Sequence, residues 1–178
     1  MLDFNATATL GDRLAALIDD GLQQVRLQQP PRTYLGASRL GVLCERALQY
    51  EYSQAEVDYG RDHSGRLLRI FERGHVVEAC MAGWLRAAGF DLRTHDVRGE
   101  PFGFSAAQGR LQGHVDGILV DGPAGFAYPT LWENKCVNAK AWRELVKYKL
   151  FVAKPLYAAQ IAYLQSKGGW NWSEWSCQ

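Results

Sequence analysis

The sequence has no excess of charge of either sign: 20 Lys and Arg stand against 19 Asp and Glu, a formal net charge of +1. That balance excludes the global positive field of a histone or a basic arm, so a nucleic-acid surface here must be a local patch. There is no C-x-x-C pair. The four cysteines, Cys44, Cys80, Cys136 and Cys177, are far apart and read as reduced, mostly buried thiols of a cytosolic protein. The opening MLDFNATATLGD lacks the basic and apolar regions of a signal peptide, and no apolar run is long enough to cross a bilayer. The expectation is a cytoplasmic protein with no membrane partner. There is also no internal repeat and no low-complexity linker. With 47% hydrophobic and 22% charged residues in 178, the chain is expected to form a single domain spanning 1–178.

What is present begins with helical periodicity. Leu10, Leu14, Leu17, Ile18, Leu22 and Val25 recur at spacings of three and four, predicting a packing helix stopped by Pro30 and Pro31. A second helix is expected from Ser38, a good N-cap, with Leu40, Leu43, Cys44, Ala47 and Leu48 on one face. Residues 53–64 read as a polar loop. A long helix is expected over 65–88 through Leu67, Phe71, Val77, Met81, Trp84 and Leu85, with Gly89 as its stop. Gly74 inside it is either a tolerated bend or a place where another group comes close.

After Gly89 short segments broken by glycine and proline predict strands. Leu111 to Val120 alternates as one strand, with His114, Asp116, Ile118 and Val120 on one face. Leu131 to Val137 is expected as the next strand, where a period of two puts Glu133 and Lys135 on one face. Helical period returns over 139–150. A last helix opens at Pro155, stacking Tyr157, Gln160, Tyr163 or Leu164, and Lys167.

Phosphodiester hydrolysis needs a hard divalent cation, an activated water and a positive group to offset charge in the transition state. Two carboxylates from adjacent strands can hold Mg²⁺ through oxygen while leaving positions for water and phosphate. G-H-V-D-G followed by W-E-N-K brings Asp116, Glu133 and Lys135 into that relation. Taken alone, E-x-K is also what a solubilising strand face carries. The setting adds a preceding helix with Glu78 and a following helix with Gln160. It also adds a basic run from Lys135 to Lys167, with seven basic residues against Glu144, 7 − 1 = +6. Within that run Lys140, Arg143 and Lys147 are candidates for DNA contact.

These segments, together with S-R-L-G-V-L-C-E-R-A-L-Q-Y-E-Y, F-E-R-G-H-V-V-E and Y-A-A-Q-I-A-Y, resemble the PD-(D/E)XK nucleases, in their RecB-like and lambda-exonuclease-like branch. The resemblance covers most of the chain. It implies a restriction-endonuclease-like α/β core, a small central mixed sheet flanked by helices, with the final strand absent if the domain is truncated. It implies a Mg²⁺- or Mn²⁺-dependent deoxyribonuclease, an exonuclease of phage, recombination or repair type. Asp116 and Glu133 would be metal ligands with the backbone carbonyl of Asn134, and Lys135 would orient or activate the water. Glu78 would hold the metal through water or bind a second ion, and His75 is the alternative ligand on that helix. Gln160, with Tyr163 or Tyr157, would match the motif that positions DNA, although the relatives space glutamine and tyrosine one residue further apart than Gln160 and Tyr163. Some relatives bind an iron–sulfur cluster through one early cysteine, comparable to Cys44, and three late ones. Here only Cys177 stands late, so no cluster is expected.

Two other readings keep the same residues: a nucleic-acid-binding protein that has lost cleavage, and a structure-specific endonuclease such as a junction resolvase. A homo-oligomer or a recombination partner would be compatible with either. His114 reads as a neighbour of the site rather than a ligand, and His63 and His95 show no partner pattern. Trp84, Trp132 and Trp142 are expected in the core, and Trp170, Trp172 and Trp175 in a packed or loose tail. Arg39, Arg46 and Arg69 are not distinguished from ordinary surface arginines.

Overall fold

The computed structural model describes residues 8–58 and 62–168. The chain forms two compact units, one of Met1–Pro31 and Glu56–His75, the other of Arg32–Ala55 and Val76–Gln178.

The first unit contains α1 (Leu10–Leu27) and the first half of α3 (Gly65–Ala87). α1 starts on a reciprocal cap in which Thr9 and Asp12 each bind the other's backbone N–H, satisfying two donors that a helix start leaves orphaned. Arg69 pairs with Asp19 at 2.7 Å, and Gln23 donates to the His63 carbonyl at 3.3 Å. Gly65 is where these segments meet: a Cβ there would run into the Asp19 backbone. The predicted packing stripe on α1 is not buried. Leu10, Leu14, Leu17, Ile18 and Val25 are all exposed. Gly74 takes the bland alternative, since a Cβ at that position meets nothing within 4 Å.

The second unit holds the sheets. Among the described residues there are, in place of one central sheet, two sheets of three strands each. Mixed order β1-β4-β3 joins β1 (Leu35–Gly36), β4 (Leu111–His114) and β3 (Gly103–Ala106). Antiparallel order β2-β5-β6 joins β2 (Asp91–Arg93), β5 (Gly117–Asp121) and β6 (Thr130–Trp132). The expected strand 111–120 is therefore interrupted at Val115–Asp116, where the chain leaves one sheet for the other. Burial shows why alternation misled: Gly117, Ile118 and Leu119 are buried in succession, so β5 is covered on both faces and carries no two-residue period. The Leu131–Val137 strand is likewise shorter, ending at Trp132.

Expected helix 2 is corrected as well. Residues Ala37–Arg39 form a single 3-10 turn, and α2 begins only at Glu45, ending at Tyr52. The last helices are α4 (Ala139–Ala153), which starts as expected and runs three residues past 150, and α5 (Pro155–Gly168), which opens at Pro155 as expected. α4 is bent at Lys149, whose φ of +62° is not helical.

The core is built on Met81, Ala82, Leu92, Leu119 and Trp132, with Val77, Leu85, Phe90 and Tyr128 packed against it. It joins the second half of α3 to sheet β2-β5-β6. α3 ends at Ala87, and Gly89 just beyond it takes φ +90°, a left-handed turn that glycine adopts without penalty. Of the three tryptophans expected in the core only Trp132 lies there; Trp84 and Trp142 are exposed. Cys44 and Cys80 are exposed too, and Cys136 is half-buried, against the expectation of mostly buried thiols. Among the described residues no helix is long and apolar enough to cross a membrane.

Candidate active site

Glu133 and Lys135 do not sit in a strand. They follow β6 in an irregular stretch that runs to Asn138, the residue that caps α4 by accepting from the Ala141 N–H at 2.9 Å. They still meet, with one residue between them. The Lys135 ammonium is ion-paired to Oε1 of Glu133. Gln160, buried in the middle of α5, donates from Nε2 to the same oxygen at 2.9 Å. Oε2 of Glu133 is buried and, among the described residues, has no hydrogen-bond partner.

Asp116 occupies the break between β4 and β5. The antiparallel register sets Gly117 opposite Trp132, so the residues just outside that pair, Asp116 and Glu133, face each other. The Asn134 N–H donates to Oδ2 of Asp116 at 2.6 Å, which ties the break to the segment carrying the Glu133–Lys135 pair. Two hairpin neighbours thus present two carboxylates and one ammonium within four residues of chain on one side and one on the other.

The electrostatics follow from burial. Burial raises the Glu133 pKa, Lys135 pulls against it, and Asp116 and, more weakly, Glu78 add to the rise, so that the balance of all of them stands at about 7. Burial alone would lower the Lys135 pKa, but Glu133 first and then Asp116 and Tyr157 outweigh it, so the ammonium is held above its ordinary range. Glu78, half-buried on α3, thus acts on Glu133 through the field. Lys135 also lies 5.7 Å from the centroid of the Tyr157 ring, a cation–π distance. The two tyrosine candidates are separated by this: Tyr157 attends the lysine, whereas Tyr163 packs on Phe104 of β3 at 5.0 Å between centroids.

The sequence candidates therefore divide. Asp116, Glu133, Asn134, Lys135, Gln160 and Tyr157 come together, with Glu78 in electrostatic reach. His75 belongs to the first compact unit and is exposed. Lys140, Arg143 and Lys147 are exposed along α4. His114 is exposed at the end of β4, and Thr94 holds the Nδ1 of His95 at 2.9 Å. His63 stands edge-on to Phe71. Arg39 and Arg69 are committed within the chain, Arg39 to Glu51 at 2.6 Å and Arg69 to Asp19. Lys167 as a side chain, the tail tryptophans and Cys177 lie outside the described residues. Sequence reasoning missed the Asn134 N–H as the holder of Asp116, for which a backbone donor leaves no residue-type signal.

Among the described residues no three His, Cys, Asp or Glu side chains are grouped to hold a metal ion. The donor set nevertheless fits a hard cation. It offers carboxylate oxygens, one of them buried and unpartnered, and that unpartnered oxygen is the atom for which a cation would supply what the protein does not.

The chain matches no family model, no curated protein and no solved structure.

Proposed function

We propose that the protein is a Mg²⁺- or Mn²⁺-dependent deoxyribonuclease of the PD-(D/E)XK type, acting as an exonuclease. The observation that carries this reading is the asymmetry of Glu133. One oxygen is held by Lys135 and Gln160, and the other is buried without a partner. A purely structural ion pair would be expected to satisfy both oxygens, since an orphaned buried acceptor costs about 1–3 kcal/mol. Asp116, fixed by the Asn134 N–H, supplies the second carboxylate.

Asp116 and Glu133 would hold the cation, which when bound polarises the phosphoryl group and acidifies its water. Gln160 keeps Glu133 in one orientation. Lys135, held protonated by its neighbours, places positive charge where the phosphorane develops negative charge, and its position beside Glu133 lets it hold the attacking water. Tyr157 restricts the lysine to that side.

The test is digestion of end-labelled linear DNA and of closed circular DNA with Mg²⁺, with Mn²⁺ and with a chelator. Linear DNA should be degraded only with the cation, and circles should survive; degraded circles would make the enzyme an endonuclease. Lys135→Ala should lower the rate by at least about 100-fold while circular dichroism stays native. Wild-type activity in that variant would remove the mechanism, and absence of cleavage by the wild type in every cation would remove the enzyme.

A further inference from the structure

Helix α4 carries two neighbouring rows of side chains that the cleavage site does not use. Trp142 and Val146 stand one turn apart. Arg143 and Lys147 stand one turn apart in the adjacent row, with Lys140 one turn before Arg143. All five are exposed, Trp142 by 40% and Val146 by 54%. Leu145, three residues on from Trp142 and on the side away from the basic row, is buried. The one acidic side chain on the helix, Glu144, is engaged by Lys154 at 3.5 Å.

Past Tyr148 the backbone leaves the helix. Lys149 takes φ +62° and ψ 168°, a region that costs a non-glycine residue about 1–3 kcal/mol. The turn beyond it presents Phe151 and Val152, exposed by 67% and 72%. The Lys147 ammonium lies 4.7 Å from the Tyr148 ring centroid, so cations and aromatic surface interleave up to the bend.

A row of apolar and aromatic surface beside a row of cations matches a polyanion that also exposes flat apolar faces. Duplex DNA offers the phosphates but keeps its bases stacked inside, which would leave Trp142, Phe151 and Val152 in water. An interfacial membrane helix separates its apolar and basic residues onto opposite faces and buries the apolar one, whereas here the exposed rows adjoin and Leu145, beside Trp142, is already buried within the protein. We infer that α4 is a single-strand-binding surface: Trp142 stacks on an unpaired base, Phe151 and Val152 flank the strand at the bend, and Lys140, Arg143 and Lys147 take phosphates. This rests on the reading of the Glu133 site as one that acts on nucleic acid, and it names the form of substrate.

The experiment measures fluorescence anisotropy of a labelled single-stranded oligonucleotide and of the corresponding duplex on the full chain in chelator, so that cleavage does not enter. The single strand should bind more tightly and quench tryptophan fluorescence. Trp142→Ala should weaken single-strand binding about tenfold and leave duplex binding unchanged, while Trp142→Phe, which keeps a stacking ring, should restore most of it. The double variant Arg143→Ala/Lys147→Ala should lower the slope of log affinity against log salt by about 1.4. Equal loss with Ala and Phe, or equal affinity for the two DNA forms, would overturn the inference. So would partition of Trp142 into anionic vesicles without single-strand binding, or a dimer that dissociates in Trp142→Ala with DNA binding intact. Single-strand binding in a chain that cleaves nothing would refute the nuclease reading and leave this surface standing. Cleavage with Trp142→Ala indifferent would do the reverse.

Discussion

Glu133 concentrates the opposing contacts of the candidate site at one residue. It is buried beside an ammonium, close to two further carboxylates, and one of its oxygens has no partner among the described residues. Its position is set by Gln160, so Gln160→Leu, similar in shape but without a donor, should destabilise the fold by about 1.5–3 kcal/mol, the range for a hydrogen bond to a charged group. Urea unfolding would read it as a lower midpoint at unchanged slope; an unchanged midpoint would mean that Lys135 alone positions the carboxylate. The pairing of Glu133 with Lys135 was legible from E-x-K spacing. That Tyr157 and not Tyr163 attends the lysine was not, because both lie on α5 and only the neighbouring strand decides which ring is already occupied by Phe104.

At the scale of elements, helix starts and stops were readable except at α2, and strand ends were not. α1 ends just before Pro30, α3 stops short of Gly89, and α5 opens at Pro155, each for a local backbone reason. The cap of α1 makes a pH prediction. The Asp12 carboxylate accepts first from the Thr9 hydroxyl and then from the Thr9 N–H, which lowers its pKa below the ordinary 3.8. A carboxylate depressed in the folded state contributes stability that is present above 3.8 and is lost as pH falls through the lower folded value. Titration of Asp12 by NMR should place its midpoint below 3.8, and Thr9→Ala should move it back toward 3.8; identical midpoints would show that the cap does not persist in solution. In α4 the strained Lys149 leads to the opposite kind of expectation. Lys149→Gly should raise stability by about 1 kcal/mol, because relief of about 1–3 kcal/mol of strain exceeds the added entropy of the unfolded glycine. A loss of stability on thermal unfolding would mean that the bend is not populated.

For the whole molecule, the proposed cation site would couple binding to folding. A cation that binds the native chain alone stabilises it by about 2.7 kcal/mol at a hundredfold excess over Kd, which for a chain of this length corresponds to roughly 5–10 °C in Tm. Mg²⁺ or Mn²⁺ should therefore raise the Tm of the wild type, and Asp116→Ala with Glu133→Gln should abolish the rise. An equal rise in that variant would place the cation elsewhere.

Composition and periodicity by themselves determined an α/β chain and the helices after and before the strands, and the E-x-K spacing paired Glu133 with Lys135. Those properties depend on neighbours a few positions apart, and a single sequence contains them. The division into two compact units and two sheets, the exposure of Trp84 and Trp142, and the placement of Asp116 at a break were decided by tertiary structure. A strand covered on both faces, as β5 is, loses the alternation that would mark its ends. What holds Asp116 in place is a backbone N–H from a residue 18 positions away, a donor that nearly every residue type carries and that only the folded chain could bring there.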